Sequence, residues 1–354
     1  MRAAPEHPNN LDPLRGLAAA AVLCHHCSVY TGYALPWLSQ LGGLLGVQLF
    51  FVISGYLIVQ SASAHHWSVY LTRRAFRIYP AYWSAVLLVG AATTPLTAWH
   101  WPEEWSVYAI HFFAFTHFSP SALLRHDVLT VSWTLTVEWC WYLLAPLLVW
   151  GAQRTGLRHY WLVAGLAALI VSSAWVRLAQ GGSLDPLYAS AIAHSGVSPV
   201  NEFTRFAYIV NSAPAQLVFF MVGALIWRYE LALRRLPWWA AGMVLGVAVG
   251  GVLEWNDLLG LHPSFVSGLG LGALLLLALQ APLIAWRWPH QLGQWAYPIY
   301  LLHVPILVAV FHRFKFEGLP ALSMALAAIV VASALLHYLV EAPANRWGRA
   351  LVGQ

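Results

Sequence analysis

Ten apolar runs, each about 18 to 24 residues long, divide this sequence. A helix of about 20 apolar residues is long enough to cross the roughly 30 Å hydrocarbon core of a bilayer. Within hydrocarbon a single spanning segment must satisfy its own backbone polar groups, so each run is expected to be a helix. The sequence therefore predicts an all-α, polytopic integral membrane protein with about ten transmembrane helices. The runs lie at 14–32, 43–60, 80–98, 134–152, 158–178, 206–229, 236–254, 264–285, 293–312 and 319–340.

Composition supports the membrane class. Only 9% of the 354 residues are charged, whereas soluble proteins carry about 25%. The 20 tryptophans and 15 tyrosines fit aromatic belts at the two membrane interfaces. The net charge of +5 does not indicate nucleic acid as a partner, because the arginines fall in short connections between apolar runs.

The distribution of basic residues predicts the orientation. With a cytoplasmic N-terminus, thirteen arginines fall on the inner side, and four arginines with Lys315 fall on the outer side. This bias agrees with the positive-inside rule and is lost if segment 103–118 crosses, so that segment is interpreted as interfacial or re-entrant. We expect one transmembrane domain, 1–354, with short cytoplasmic tails at 1–10 and 342–354 and no extra soluble domain.

The first run carries ionisable residues that an apolar helix rarely tolerates. Arg15 and His26 are eleven residues apart, which is about 1100° of helix, so they share one face while His25 is turned away from it. Ionisable side chains within a membrane helix are functional candidates. Cys24-His25-His26-Cys27 does not predict a metal, because one helical turn cannot direct four ligands at one ion.

Glu138 is the only acidic residue well inside an apolar run. A carboxylate at such a depth needs a partner, and Arg15 and the histidine pair are the obvious choices. Two interpretations are open at this point. The cluster is either a catalytic site or a structural ion pair that joins two helices.

Three arginines, Arg73, Arg74 and Arg77, follow the second apolar run. Guanidinium groups bind phosphate in bidentate fashion, so this connection is a candidate site for a phosphorylated cytosolic ligand. The alternative is a topology signal that pairs with anionic lipid.

Two further polar positions lie within apolar runs. Ser54, followed by Gly55, is interpreted mainly as a point of close helix approach, with a nucleophilic serine as the alternative. His303 lies between Pro298 and Pro305 and either caps a carbonyl freed by these prolines or has a functional role.

Six motifs follow one another along the chain: Leu-Asp-Pro-Leu-Arg-Gly with His26, Gly-Val-Gln-Leu-Phe-Phe-Val-Ile-Ser-Gly-Tyr-Leu, Arg-Arg-Ala-Phe-Arg-Ile-Tyr-Pro, Ser-Trp-Thr-Leu-Thr-Val-Glu-Trp-Cys-Trp-Tyr, Tyr-Pro-Ile-Tyr-Leu-Leu-His-Val-Pro and Glu341-Ala-Pro. In this order they resemble the motifs of membrane acyltransferase family 3, which includes O-antigen and other cell-envelope O-acetylases. The resemblance implies about ten spans in the bacterial cytoplasmic (inner) membrane and transfer of an acyl group, usually acetyl from acetyl-CoA, to a hydroxyl of a sugar-containing acceptor.

The resemblance also assigns residues. The family's arginine-to-histidine motif falls on Arg15 and His26, its glutamate on Glu138, and its basic loop on three residues proposed to bind acyl-CoA: Arg73, Arg74 and Arg77. The supporting residues are His25, Ser54, Tyr142 and His303. The implied partners are acyl-CoA, a carbohydrate or glycoconjugate acceptor and membrane lipids, with no metal and no nucleic acid; the sequence does not set the oligomeric state.

Two positions depart from the family pattern. Pro13 stands where glycine is common, and Gln48 stands where aspartate is frequent, so position 48 cannot supply a base. We expect His26 to be the base, because imidazole titrates near neutral pH, with Glu138 or a neighbouring backbone group orienting its ring. Arg15 would stabilise the oxyanion or anchor the donor.

Other mechanisms are open from sequence. An acyl-histidine intermediate on His26 is the competing chemical scheme. A proton-coupled transporter or flippase of an envelope precursor would use the same ionisable residues without acyl chemistry. Transporters commonly contain two repeated halves, and no such internal repeat is visible in this sequence.

Overall fold

The computed structural model describes residues 10–93, 105–194, 200–254 and 263–353, and within these ranges the regular structure is helical. Most of the predicted tail 1–10 and the acidic pair Glu103-Glu104 lie outside them. The α-helices are α1 (Leu11–Thr31), α2 (Leu38–Ala64), α3 (Trp67–Thr93), α4 (Trp105–Phe112), α5 (Pro120–Leu124), α6 (Trp133–Thr155), α7 (Tyr160–Gln180), α8 (Asp185–His194), α9 (Glu202–Thr204), α10 (Ala213–Leu233), α11 (Trp238–Glu254), α12 (Pro263–Gln280), α13 (Arg287–Gln294), α14 (Ala296–Leu307), α15 (Gly318–Leu336) and α16 (Ala342–Leu351).

Each of the ten apolar runs overlaps one of these helices, and residues 94–98 of the third run lie outside the described ranges. Six helices in the described ranges are long and apolar enough to cross a membrane, and α11 and α12 are shorter apolar helices. The two remaining runs, in α1 and α3, carry the arginines of the candidate site. The chain is thus an all-helical, multi-pass membrane protein, while the count of ten spans stays a prediction.

The segment interpreted as interfacial contains a short helix. Helix α4 has 8 residues, which is about 12 Å of helix and less than half of the hydrocarbon thickness. A 3₁₀ turn, Thr116–Phe118, follows it. The length agrees with a segment that does not cross the membrane.

The prediction of a basic loop after the second span was wrong. Residues 67–93 form one continuous helix, α3, so Arg73, Arg74 and Arg77 lie on a helix and not in a connection. Hydropathy places a boundary at charged residues, but arginine is a good helix former. The connection between α2 and α3 consists of His65 and His66 only.

Helix α2 lies at the centre of the fold and packs so closely against α10 that the two backbones are in contact. A methyl group added at Gly223 would overlap the carbonyl oxygen of Val52, and one at Gly55 would overlap that of Phe220. Small residues permit this close approach between membrane helices. The prediction that Ser54-Gly55 marks a close helix contact is confirmed. This contact also fixes the position of Ser54 relative to α10.

Contacts between distant helices join ends that the sequence assigns to the same side. At the end predicted to be cytoplasmic, Arg77 pairs with Glu341, and the Asn10 side chain donates to the carbonyl of Pro282. At the other end, His312 bonds the carbonyl oxygen of Tyr30 at 3.0 Å. The bundle therefore has two defined ends, with Arg15 of α1 and the arginine cluster of α3 near one of them.

Candidate active site

A cavity of about 100 Å³ lies between α1, α2, α3, α6 and α14. Its wall combines apolar side chains with an unusual number of polar ones. Three guanidinium groups, one carboxylate, three tyrosines and two hydroxyl side chains contribute to the lining. These polar residues are Arg15, Arg74, Arg77, Glu138, Tyr142, Tyr297, Tyr300, Ser54 and Thr134. We refer to this space as the guanidinium cavity.

Arg15 enters the cavity from the first turns of α1. Its Nη1 donates to Oδ1 of Asp12 at 3.1 Å, one turn earlier on the same helix. Both side chains are about one-third exposed. The ion pair holds the guanidinium near the cavity wall and leaves its other donors available to a ligand.

Two of the three clustered arginines of α3 reach the cavity. Arg74 lies 5.9 Å from the ring centroids of both Tyr70 and Tyr142 and donates to Ser61 Oγ at 3.3 Å. Arg74 has no carboxylate partner among the described residues. Arg73 instead donates to Nε2 of His65 at 2.8 Å and is absent from the cavity lining.

Arg77, the third arginine of this cluster, is held by a buried acid to which the sequence analysis assigned no role. Its guanidinium pairs with Glu341, whose side chain is 0% exposed. Nδ1 of His337 lies 2.8 Å from the second carboxylate oxygen of Glu341. A π-helical segment, His337–Glu341, supplies both residues, and such wide turns often mark functional sites. The signal was present in the motif Glu341-Ala-Pro, but its distance from Arg77 along the chain concealed the pairing.

Glu138 lies on the cavity wall and contacts hydroxyl groups. Its Oε1 accepts hydrogen bonds from Ser54 Oγ at 3.0 Å and from Tyr142 OH at 2.7 Å. Glu138 and Arg15 thus line the same cavity, as the sequence suggested for two ionisable groups on different spans. The structure has Glu138 bonded to these hydroxyls and not to His26.

His26 lies outside the cavity lining and contacts another histidine. Its Nδ1 is 3.0 Å from Nε2 of His303 and 3.1 Å from the carbonyl oxygen of Val22. A backbone group therefore orients the ring, which is one of the two alternatives derived from the sequence. Tyr30 stacks against His26 with ring centroids 6.2 Å apart.

Tyr300 lies between the cavity and the histidines. It lines the cavity, and its ring centroid is 5.9 Å from that of His303. Its hydroxyl contacts Thr134 Oγ1 at 2.9 Å and the carbonyl oxygen of Val131 at 3.2 Å. A narrow molecule that extends from the arginines toward His26 would pass this ring.

His25 faces a different helix from His26. Its Nδ1 is 2.7 Å from the carbonyl oxygen of Ser39, and its ring lies against Gly43 of α2, where an added methyl group would collide. The expected divergence of the two adjacent histidines is therefore observed. His25 connects the C-terminal part of α1 to the N-terminal part of α2.

The start of α6, which carries Glu138, is held by an acidic side chain. Asp127 accepts hydrogen bonds from the backbone N–H of Ser132 at 3.0 Å and from its hydroxyl at 2.8 Å. Burial raises the pKa of Asp127 to about 6, although these hydrogen bonds act in the opposite direction. The carboxyl group thus anchors the N-terminal end of α6.

The described side chains offer no metal site. No three His, Cys, Asp or Glu side chains converge within the described ranges. The three cysteines are free thiols. Cys27 is buried, and Cys24 and Cys140 are partly buried.

Comparison with known proteins gives a consistent result over almost the whole chain. The acyltransferase 3 family model, described as an acyltransferase domain, matches residues 9–339. Acyltransferase MdmB of Streptomyces mycarofaciens is 26% identical over 95% of this chain and 91% of its own length. A Komagataeibacter xylinus protein, provisionally named membrane-bound transacylase BcsY, is 27% identical over 94% of this chain and 81% of its own.

A third relative extends the comparison. Nodulation protein 10 of Rhizobium leguminosarum bv. viciae is 27% identical over 98% of this chain and 96% of its own length. No solved structure matches the chain. The family match covers every helix of the guanidinium cavity, and it also covers His26 and His303, which contact each other beside the cavity. The chain belongs to acyltransferase family 3 and is an acyltransferase.

Proposed function

We propose that this protein transfers an acyl group, acetyl in the simplest case, from cytosolic acyl-CoA to a hydroxyl of a sugar-containing acceptor. The observation that carries the proposal is the placement of two chemically different sites on one face of α1. Arg15 lies in the guanidinium cavity, and His26 lies eleven residues further along, about 16 Å along the helix axis.

The guanidinium cavity has the charge that the donor requires. Coenzyme A carries several phosphate groups, and arginine binds phosphate through charge-assisted, often bidentate hydrogen bonds. A volume of about 100 Å³ is below the roughly 300 to 1,000 Å³ of typical small-molecule sites. The cavity therefore suits a narrow segment of the donor, such as part of the pantetheine arm, with the nucleotide held at the end predicted to be cytoplasmic.

Arg15 acts as an anchor of the donor in this proposal. An oxyanion that forms beside His26 is about 16 Å from the backbone of Arg15, beyond the reach of its guanidinium. The same separation suits a donor whose phosphates bind at one end of α1 and whose thioester lies near the other end. Glu138 offsets part of the positive charge and orients Ser54 and Tyr142 for polar groups of the arm.

His26 is the base in the reaction. Its neutral imidazole removes the proton from the acceptor hydroxyl as the hydroxyl oxygen attacks the thioester carbonyl. The C–S bond then breaks, and the coenzyme thiolate takes the proton back from His26, which restores the neutral ring. Positioned general bases of this kind contribute about 10²- to 10⁴-fold to rate.

The sugar-containing acceptor is inferred from the family resemblance, and the bacterial inner membrane is inferred from that resemblance together with the sources of the three relatives. The acceptor would approach from the outer end, where His26 and Tyr30 lie. A proton-coupled transporter or flippase is the second candidate function. Membership of an acyltransferase family favours bond chemistry over transport alone.

Membranes from a bacterial host that expresses the full chain test the proposal. They are incubated with acetyl-CoA labelled in the acetyl group, and alkali-labile label is measured in envelope, lipid and small-molecule fractions. We expect ester-bound label above the vector control and a loss of at least about 100-fold in His26→Gln.

His194→Gln, an exposed histidine on α8, is the matched control and should keep wild-type incorporation. Absence of label above vector, with the protein correctly inserted, would contradict the donor assignment. Wild-type incorporation by His26→Gln would remove His26 from the chemistry. Transport alone predicts no covalently bound label in any fraction.

A further inference from the structure

His303 is a buried histidine whose position calls for an explanation beyond packing. It is 1% exposed, and it lies in α14 between two prolines. We propose that His303 is a positioning residue that fixes the proton of His26 on Nδ1, so that Nε2 of His26 is the base. This inference rests on the proposed function, because it assigns an atom to the base that the reaction requires.

Two backbone carbonyls determine where the imidazole protons lie. A carbonyl oxygen only accepts hydrogen bonds, so a ring nitrogen close to it must carry hydrogen. Nδ1 of His303 is 3.0 Å from the carbonyl oxygen of Ile299. Nδ1 of His26 is 3.1 Å from that of Val22. Both rings therefore carry their proton on Nδ1 when they are neutral.

The contact between the rings then has one direction. With Nδ1 protonated, Nε2 of a neutral His303 is an acceptor, and it lies 3.0 Å from Nδ1–H of His26. If Nε2 of His303 instead donated to Nδ1 of His26, both Nδ1 nitrogens would lack a proton. Each would then face a carbonyl oxygen, and the lone pairs would repel. His26 therefore shares its Nδ1 proton between Val22 and His303 and keeps an unprotonated Nε2. Among the described residues, Nε2 of His26 makes no hydrogen bond.

Capping does not account for His303. Proline lacks an N–H and leaves the carbonyl four residues earlier without its helical partner. For Pro305 that carbonyl belongs to Leu301, and for Pro298 it belongs to Gln294. The Nδ1 of His303 instead bonds Ile299, so the hydrogen bond orients the ring and does not satisfy a carbonyl freed by proline.

The pair also fits what the reaction demands of the base. When His26 gains a proton on Nε2, its Nδ1–H becomes part of a cation, and its hydrogen bond to His303 becomes charge-assisted, about twice as strong as a neutral one. That gain occurs only as the acceptor hydroxyl loses its proton. Interactions that strengthen in the transition state raise kcat more than they change substrate binding.

Two substitutions separate the nitrogens of His303. In His303→Gln the side-chain amide oxygen stands near the position of Nε2 and can accept from His26. In His303→Asn the amide nitrogen stands near Nδ1 and keeps the bond to Ile299, but nothing reaches His26. The full-length variants are compared in the assay with acetyl-labelled acetyl-CoA described above, at varied acetyl-CoA concentration. Thermal melting is the measure of folding.

We expect His303→Asn to lower kcat about 10- to 100-fold with little change in the KM for acetyl-CoA. His303→Gln should recover kcat to within about fivefold of wild type. The double variant His26→Gln/His303→Asn should be no worse than His26→Gln, because residues that act as a unit are not additive.

A wild-type kcat in His303→Asn would overturn the positioning role. A Gln variant as impaired as the Asn variant at equal melting temperature would overturn it as well. His26→Gln separates this inference from the proposed function. If His26→Gln is inactive while His303→Asn is fully active, only the role of His303 fails, whereas an active His26→Gln removes the base itself.

Discussion

The guanidinium cavity and the histidine pair formed by His26 and His303 both include residues of helix α1. They are held in place by different kinds of interaction. Two arginines of the cavity are paired with carboxylates: Arg15 with Asp12, and Arg77 with Glu341 near the other end of the chain. The histidine pair is anchored by backbone carbonyls of α1 and α14. One region is organised by charge, and the other is organised by neutral hydrogen bonds.

This difference suggests how the two regions divide the reaction. Charged groups that are already paired can hold a polyanionic donor without leaving uncompensated charge in the membrane. A neutral imidazole can accept a proton during the reaction, which a guanidinium cannot do. Changes in the cavity should therefore alter the KM for acetyl-CoA, and changes in the histidine pair should alter kcat.

The largest effect on donor binding is expected from Glu341→Gln. The substitution keeps the shape of a side chain that is 0% exposed but removes the charge that holds Arg77 and contacts His337. Loss of one partner from a buried pair costs about 2 to 5 kcal/mol, so we expect the KM for acetyl-CoA to rise about 30-fold or more. The measurement is the same assay with acetyl-labelled acetyl-CoA at varied donor concentration, with melting temperature recorded in parallel.

Asp185→Asn is the control for removal of an ion pair as such. Asp185 forms a two-point pair with Arg205, at 3.1 and 2.6 Å, where both side chains are about one-quarter exposed. Partly exposed pairs contribute little, and this pair lies outside the cavity, so neither KM nor kcat should change. If Glu341→Gln lowers kcat and leaves KM unchanged, the proposed division between the two regions is wrong.

The next effect in size compares two adjacent arginines of α3. Arg74 lines the cavity and has no carboxylate partner among the described residues, whereas Arg73 bonds His65 outside it. Hydrogen bonds to charged groups contribute about 1.5 to 3 kcal/mol, so Arg74→Gln should raise the KM for acetyl-CoA about tenfold or more. Arg73→Gln should change it less than about twofold.

Equal effects of the two substitutions would show that general positive charge, and not the cavity, holds the donor. The same outcome would return all three arginines of α3 to the alternative interpretation as a topology signal. Measurements at two salt concentrations sharpen the test, because screening weakens exposed charges more than partly buried ones.

The sequence predicted the parts of the site that depend on local periodicity. Helical geometry placed Arg15 and His26 on one face and turned His25 away, and the structure agrees. Hydropathy located Glu138 as an acid within a membrane helix and Ser54-Gly55 as a close contact. These features follow from the spacing of residues along one helix, which the sequence contains directly.

The partners of these residues could not be predicted, because they are set by how distant helices pack. Glu341 follows Arg77 by 264 positions, and His303 follows His26 by 277. The obvious charge complement of His26 and Arg15 was Glu138, and hydroxyl groups on α2 and α6 bind it instead. Pairing by charge alone overlooks neutral partners such as His303 and Tyr142.

The smallest expected effect tests whether the cavity itself contains the nucleophile. Ser54 lines the cavity and donates to Glu138 at 3.0 Å, an arrangement that a serine nucleophile with a carboxylate base would also show. If the cavity only holds the donor, Ser54→Ala removes one hydrogen bond worth about 1 kcal/mol and should change kcat/KM about fivefold at most. Tyr142→Phe removes the other donor to the same Glu138 oxygen and should have an effect of similar size. A nucleophilic serine would instead make Ser54→Ala inactive while Tyr142→Phe stays active, and quenched wild-type protein would carry a mass increase of one acetyl group on the peptide that contains Ser54.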